Sequence, residues 1–146
     1  MHLHRLSRRV WPLGAALAFA MSPLGSYSSI AAAAETTVTL SGDQEVPAVT
    51  SPGTGTGTIV VGADKSISGS VTTTGIAGTA AHVHEAAAGE NGPVIIPLTK
   101  DGDTYAVPAG AKLTDAQFAS FQAGHLYVNV HTAANPEGAM RGQLKP

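Results

Sequence analysis

From residue 36 onward the chain alternates between apolar and polar positions in short runs, with turn residues between them. Residues 36–40 are β-branched and alternating, and predict a first strand. Ser51-Pro52-Gly53-Thr54-Gly55-Thr56-Gly57 reads as a loop or as a glycine-rich strand entry, and residues 58–61 as the strand it leads to. After a turn at Ala63-Asp64-Lys65, residues 66–73 alternate again, with Ile67, Gly69 and Val71 on one face. Residues 81–85 predict a fourth strand. Glu90-Asn91-Gly92-Pro93 predicts a turn, with Asn91-Gly92 supplying the positive φ angles that tight turns need.

The apolar run 94–98 contains Pro97, which cannot donate to a central ladder, so this strand belongs at an edge or ends there. Asp101-Gly102 predicts a turn, and residues 104–107 the next strand. Residues 114–122 are the one good helix candidate. Thr114 can cap it, Asp115 stands in its first turn, Phe118 and Phe121 share a face, and Gly124 ends it. Residues 126–132 alternate strongly, with Leu126, Val128 and Val130 on a core face and Tyr127, Asn129 and His131 on the other. A turn at Asn135-Pro136-Glu137-Gly138 then leads to a last strand over 139–144, which pairs with 126–132 as a hairpin. The fold class is therefore all-β: an antiparallel, Greek-key-like β-sandwich of about 7–9 strands with one short helix at about 114–122. No repeat of fixed period and no second domain are visible.

The first 34 residues have a different character. His2, His4, Arg5, Arg8 and Arg9 make a basic start with no acid. An apolar stretch over 10–21 follows, and then small residues ending in the run Ala31 to Ala34. This is the layout of a signal peptide cleaved before Glu35. Pro12, Gly14 and Pro23 interrupt the apolar stretch, which disfavours a retained membrane anchor. Ser7-Arg8-Arg9-Val10-Trp11 also fits a twin-arginine signal, so both that route and the general secretory route are open. The expected division is a signal peptide over 1–34 and one domain over 35–146, in the periplasm or secreted.

Beyond residue 34 the chain carries five Lys and Arg against ten acids, a net charge near −5 with His neutral. A weakly acidic surface with few cations argues against nucleic acid as a partner, and no basic amphipathic helix suggests a membrane surface. The chain has no cysteine. This excludes disulfides, thiolate metal sites, a cysteine nucleophile and an N-terminal lipid anchor on cysteine. No nucleophile elbow, phosphate-binding loop or carboxylate pair can be named.

What chemistry remains centres on histidine. Four histidines follow residue 34: His82, His84, His125 and His131. His82 and His84 are two apart on a predicted strand, so they share a face about 6.6–7 Å apart. If strands 81–85 and 126–132 are neighbours, His131 can join them. Three neutral imidazoles suit copper or zinc. His125 lies six residues from His131, roughly 20 Å along a regular strand, too far to share the ion unless the chain bends at Gly124. Met140 could be a soft axial ligand for copper. Glu45, Glu85, Asn129 and Arg141 are candidates to orient the imidazoles by hydrogen bonding. The alternative is a metal-free polar cluster in which the same groups only stabilise the fold.

Several segments together resemble the CHRD domain first described in chordin. They are Leu40-Ser41-Gly42-Asp43-Gln44-Glu45-Val46-Pro47; Ala80-Ala81-His82-Val83-His84 with Gly89-Glu90-Asn91-Gly92-Pro93-Val94; Leu113-Thr114; Ala123 through Thr132; and Asn135-Pro136-Glu137-Gly138 with Arg141-Gly142-Gln143-Leu144. They run in the family's order from about residue 37 to 144. The resemblance implies an exported single domain that works as a binding or structural module. A growth-factor ligand of the chordin kind is not expected, because no cysteine-rich modules accompany the domain. His82-Val83-His84-Glu85 also resembles the copper-binding segment of copper/zinc superoxide dismutases, themselves β-sandwiches. That family needs four copper histidines, further zinc ligands and paired cysteines, which this chain does not supply.

The sequence thus leaves three functions. The first is an exported module that binds copper or zinc through His82, His84 and His131. The second is a dismutase-like copper redox enzyme. The third is a cell-surface or matrix interaction protein without metal, whose partner would be a protein or polysaccharide.

Overall fold

A computed structural model describes residues 32–146. The basic start, the twin-arginine pattern and all but the last three residues of the expected signal peptide lie outside the described residues. Among the described residues, nine strands form two antiparallel sheets, with one α-helix. The first sheet holds β1 (Ala34–Leu40), β2 (Thr54–Val61), β3 (Ile67–Thr74), β6 (Thr99–Asp101) and β7 (Thr104–Ala106), in the order β1-β2-β3-β7-β6. The second holds β4 (Gly78–Glu85), β5 (Val94–Pro97), β8 (Leu126–Thr132) and β9 (Met140–Leu144), in the order β5-β4-β8-β9. The chain is an all-β sandwich, as its alternating pattern predicts. Pro97 does lie on an edge strand, where its missing N–H costs no ladder bond.

One local feature resolves an alternative the sequence left open and two differ from its reading, each for a physical reason. β2 begins at Thr54, so the glycine-rich segment is strand and not loop. Glycine is required there: a Cβ on Gly57 would stand 2.1 Å from the Ser70 carbonyl, and one on Gly55 would stand 2.7 Å from Leu40. β6 has no alternation to betray it, because all three of its residues are exposed. In the turn after β4 the positive φ belongs to Gly89, at 83°, and not to Asn91-Gly92. The amide of Asn91 is used instead to donate to the Val46 carbonyl at 2.7 Å.

The helix α1 (Asp115–Gln122) has a complete capping box. Thr114 Oγ1 accepts from Gln117 N at 3.2 Å, and Thr114 N donates to Gln117 Oε1 at 2.9 Å. Phe121 enters the core and Phe118 packs partly against it. The core proper is lined by Val38, Leu40, Ile59 and Val71 from one sheet and by Val83, Val128, Val130 and Leu144 from the other. The sheets meet at β1 and β9, where Thr36 Oγ1 donates to the Lys145 carbonyl at 2.8 Å and Ser41 bridges Arg141.

The outer face of the second sheet positions the site. Tyr127 and Asn129 point away from the core, yet they are 2% and 3% exposed. Glu45 and Gly138 lie against Asn129, and Gly92 and Arg141 lie against Tyr127. The face opposite the apolar core is therefore a second, polar interior. Among the described residues no helix is long and apolar enough to cross a membrane.

Candidate metal centre

β4 and β8 pair antiparallel, with His82 opposite Asn129, His84 opposite Tyr127 and Ala80 opposite His131. Alternation puts His82 and His84 on the outer face, and the antiparallel register puts His131 diagonally across from His82. The three imidazoles therefore converge. Ring centroids are 5.7 Å apart for His82–His84, 4.8 Å for His82–His131 and 6.2 Å for His84–His131. One ligand nitrogen from each lies within 4.8 Å of the others. Nitrogens bound about 2.1 Å from one ion sit roughly 3–4 Å apart, so small ring rotations close the cluster.

The hydrogen bonds fix the tautomers. His84 Nδ1 donates to the Gly92 carbonyl at 2.9 Å, and His131 Nδ1 donates to the Pro136 carbonyl at 2.9 Å. Each then presents an Nε2 lone pair. His131 Nε2 accepts from His82 Nδ1 at 2.9 Å. His84 Nε2 is buried and has no partner. Backbone carbonyls orienting ligand imidazoles by the far nitrogen are the usual support of metal-binding histidines.

Burial pushes the imidazoles of His82 and His84 below the ordinary value of 6.5. For His82 the neighbouring His131 adds to the effect, followed by His84. For His84 the bond to Gly92 opposes it, while His131 and Arg141 reinforce it. Both rings are thereby kept neutral at physiological pH, the form that binds metal.

Around the imidazoles stands a polar network. Asn129 Nδ2 donates to both oxygens of Glu45, at 3.0 Å each. Burial raises the Glu45 carboxyl above its ordinary 4.5, against the lowering effects of that Asn129 bond and of Arg141. Arg141 is 1% exposed and lies flat on Tyr127, its Cζ 3.4 Å from the ring centroid. Tyr127 in turn stacks on His84, with centroids 4.9 Å apart and planes 13° from parallel. The guanidinium donates to the Ala87 carbonyl at 3.1 Å and faces Asn91 Oδ1 and Gln143 Oε1 at 3.4 Å each.

Of the groups expected near the imidazoles, Glu45, Asn129 and Arg141 are in this network. Glu85 is not. It follows His84 by one residue, so it faces the other way, and its carboxylate accepts from Ser120 Oγ on α1 at 2.6 Å. Met140 pairs with Val130 and is part of the apolar core, so it is no axial ligand. His125 is exposed before β8 and stands outside the cluster. The carbonyls of Gly92 and Pro136 carry no signature in a sequence. The role of Tyr127 does: its parity with Asn129 and His131 marks it.

A family model for the CHRD domain matches residues 36–144. The chain belongs to that family. No curated protein and no solved structure matches it.

Proposed function

We propose that this CHRD domain is an exported binding or structural module that holds one copper or zinc ion through His82, His84 and His131. The observation that carries this reading is His84 Nε2, a buried lone pair without a partner, aimed from a cluster whose ligand nitrogens lie within 4.8 Å of one another. A purely structural histidine cluster would satisfy that atom, because an unpaired buried polar group costs about 1–3 kcal/mol. Copper and zinc both suit three neutral imidazoles. Export rests on the basic, apolar and small-residue pattern of residues 1–34. The partner in this reading is a protein or polysaccharide outside the cytoplasm. The dismutase alternative has less support, since a fourth converging histidine is missing among the described residues.

The test is calorimetric titration of Cu(II) and Zn(II) into the purified, untagged protein, beside His84→Ala and a triple His82→Ala/His84→Ala/His131→Ala variant. One equivalent should bind to the parent, weaken at least tenfold in His84→Ala and disappear in the triple variant. Binding left unchanged by the triple variant would refute the site. No binding to the parent would make the histidines a fold-stabilising cluster.

A further inference from the structure

The positive φ of the turn after β4 belongs to Gly89, so the dipeptide Asn91-Gly92 is held in place for other reasons. Gly92 is fixed by space: a Cβ there would run into the Glu85 carbonyl. Its carbonyl accepts from His84 Nδ1 at 2.9 Å, and its N–H donates to Tyr127 Oη at 3.1 Å. Asn91 is exposed and is fixed by hydrogen bonding. Its Nδ2 donates to the Val46 carbonyl at 2.7 Å, and its Oδ1 faces Arg141 Nη1 at 3.4 Å. At this dipeptide the loop is thereby tied to β4, β8, β9 and Val46.

Asn-Gly is also the dipeptide most reactive towards its own asparagine. With no side chain on the second residue, the backbone nitrogen reaches the carboxamide unhindered. In that reaction Gly92 N loses its proton and attacks Asn91 Cγ. The new N–C bond closes a five-membered succinimide, and the Cγ–Nδ2 bond breaks to release ammonia. Water then opens the ring at either carbonyl, leaving aspartate or isoaspartate and one more negative charge. The fold cannot escape by exchanging the glycine, because a side chain has no room there. It engages the reacting groups instead. The Gly92 proton sits on Tyr127 Oη, and both ends of the carboxamide that must turn are bonded.

We propose that Asn91 is a site of spontaneous covalent modification, latched by the Tyr127 hydroxyl, and that its conversion to isoaspartate weakens the hold on His84 and with it metal binding. The second half rests on the reading of His82, His84 and His131 as a metal centre. Isoaspartate adds one atom to the backbone directly before Gly92. The Gly92 carbonyl is then displaced from His84 Nδ1, and that bond is the one that leaves Nε2 as the free lone pair. The product has also lost the Nδ2 donor, so the Val46 carbonyl faces an acceptor.

The test holds purified protein in mildly alkaline buffer, folded and in guanidinium, and follows isoaspartate at residue 91 by peptide mapping and mass spectrometry. The parent is compared with Tyr127→Phe and with Thr114→Ala, which weakens the fold away from this loop. Conversion should be about fivefold faster in Tyr127→Phe, the worth of one hydrogen bond, and on the order of a hundredfold faster in the unfolded parent, the worth of three. Thr114→Ala should match the parent. A folded parent that converts as fast as the unfolded chain, or Thr114→Ala accelerated as much as Tyr127→Phe, would overturn the latch. The isoaspartyl fraction, separated by chromatography, should bind Zn(II) roughly tenfold more weakly than the unconverted protein. Equal binding would overturn the link to the metal centre while leaving the modification site standing. No binding by either would refute the metal centre itself and that link with it.

Discussion

The bond between Asn129 and Glu45 gives the most quantitative test of the polar interior. Asn129→Leu keeps the branched shape, in a larger volume, but removes the amide that donates to both carboxylate oxygens at 3.0 Å. Glu45 is 7% exposed, so water cannot replace what is lost. A hydrogen bond to a charged group contributes about 1.5–3 kcal/mol, and stripping one partner from a buried charge costs about 3–5 kcal/mol. Arg141 still acts on Glu45 through space, which places the expected cost near the low end, about 3 kcal/mol. With a urea slope of about 1.5 kcal/mol/M, the midpoint should fall by roughly 2 M.

The same substitution in a Glu45→Gln background removes only a bond between neutral groups. It should cost about 1 kcal/mol, leaving a coupling of about 2 kcal/mol between the two positions. The assay is urea unfolding by far-ultraviolet circular dichroism at pH 7.5, well above the ordinary carboxyl value of 4.5. Tryptophan fluorescence would not serve, because Trp11 lies in the expected signal peptide. A cost under about 1 kcal/mol in the parent, or equal costs in both backgrounds, would refute a buried, charge-dependent bond.

Other expectations follow from the same structure. In the metal-free protein, His82 and His84 have folded-state values below 6.5, so between that value and their folded values the unfolded chain binds more protons. Stability should therefore be complete above pH 6.5 and decline as the pH falls below it, and the decline should flatten in His82→Ala/His84→Ala, followed by urea midpoint against pH. Glu45 acts in the opposite sense: its folded value is raised above 4.5, so its protonation favours the folded state on further acidification, and Glu45→Gln should remove that contribution. Thr114→Ala removes the bond that Thr114 Oγ1 accepts from Gln117 N, leaves the reciprocal backbone bond to Gln117 Oε1, and should lower stability by about 1 kcal/mol without affecting metal uptake, as measured by thermal unfolding and titration. Gly138→Ala should be more harmful than its small size suggests. Its φ is 147°, and a Cβ would stand 2.7 Å from both Asn129 Nδ2 and Glu45 Oε1, so the loop over the polar interior would lift and thermal unfolding would show it.

The sequence revealed most where one face was apolar and the other was not. β8, β9 and α1 were legible because Leu126, Val128 and Val130 alternate and because Thr114 and Gly124 punctuate the helix. The glycine-rich start of β2 was ambiguous, since what it needs is close approach to a neighbouring strand, which leaves no apolar signal. β6 was silent for lack of any burial. The three converging histidines could be named because spacing of two fixes a face, while the pairing of β4 with β8 had to come from the fold. Glu85 shows the limit of proximity in sequence: one residue from His84, it faces the opposite side of the sheet and bonds to α1. The covering of Tyr127 and Asn129 by distant loops was not legible at all, because alternation marks which face a residue takes and not what comes to lie over it.

The most direct test of the metal centre is electron paramagnetic resonance of the protein with one equivalent of Cu(II), counting the nitrogen nuclei coupled to the copper. The account predicts coupling to three imidazole nitrogens, reduced to two in His131→Ala. Copper coupled to one nitrogen or none, or a spectrum unchanged by His131→Ala, would contradict it.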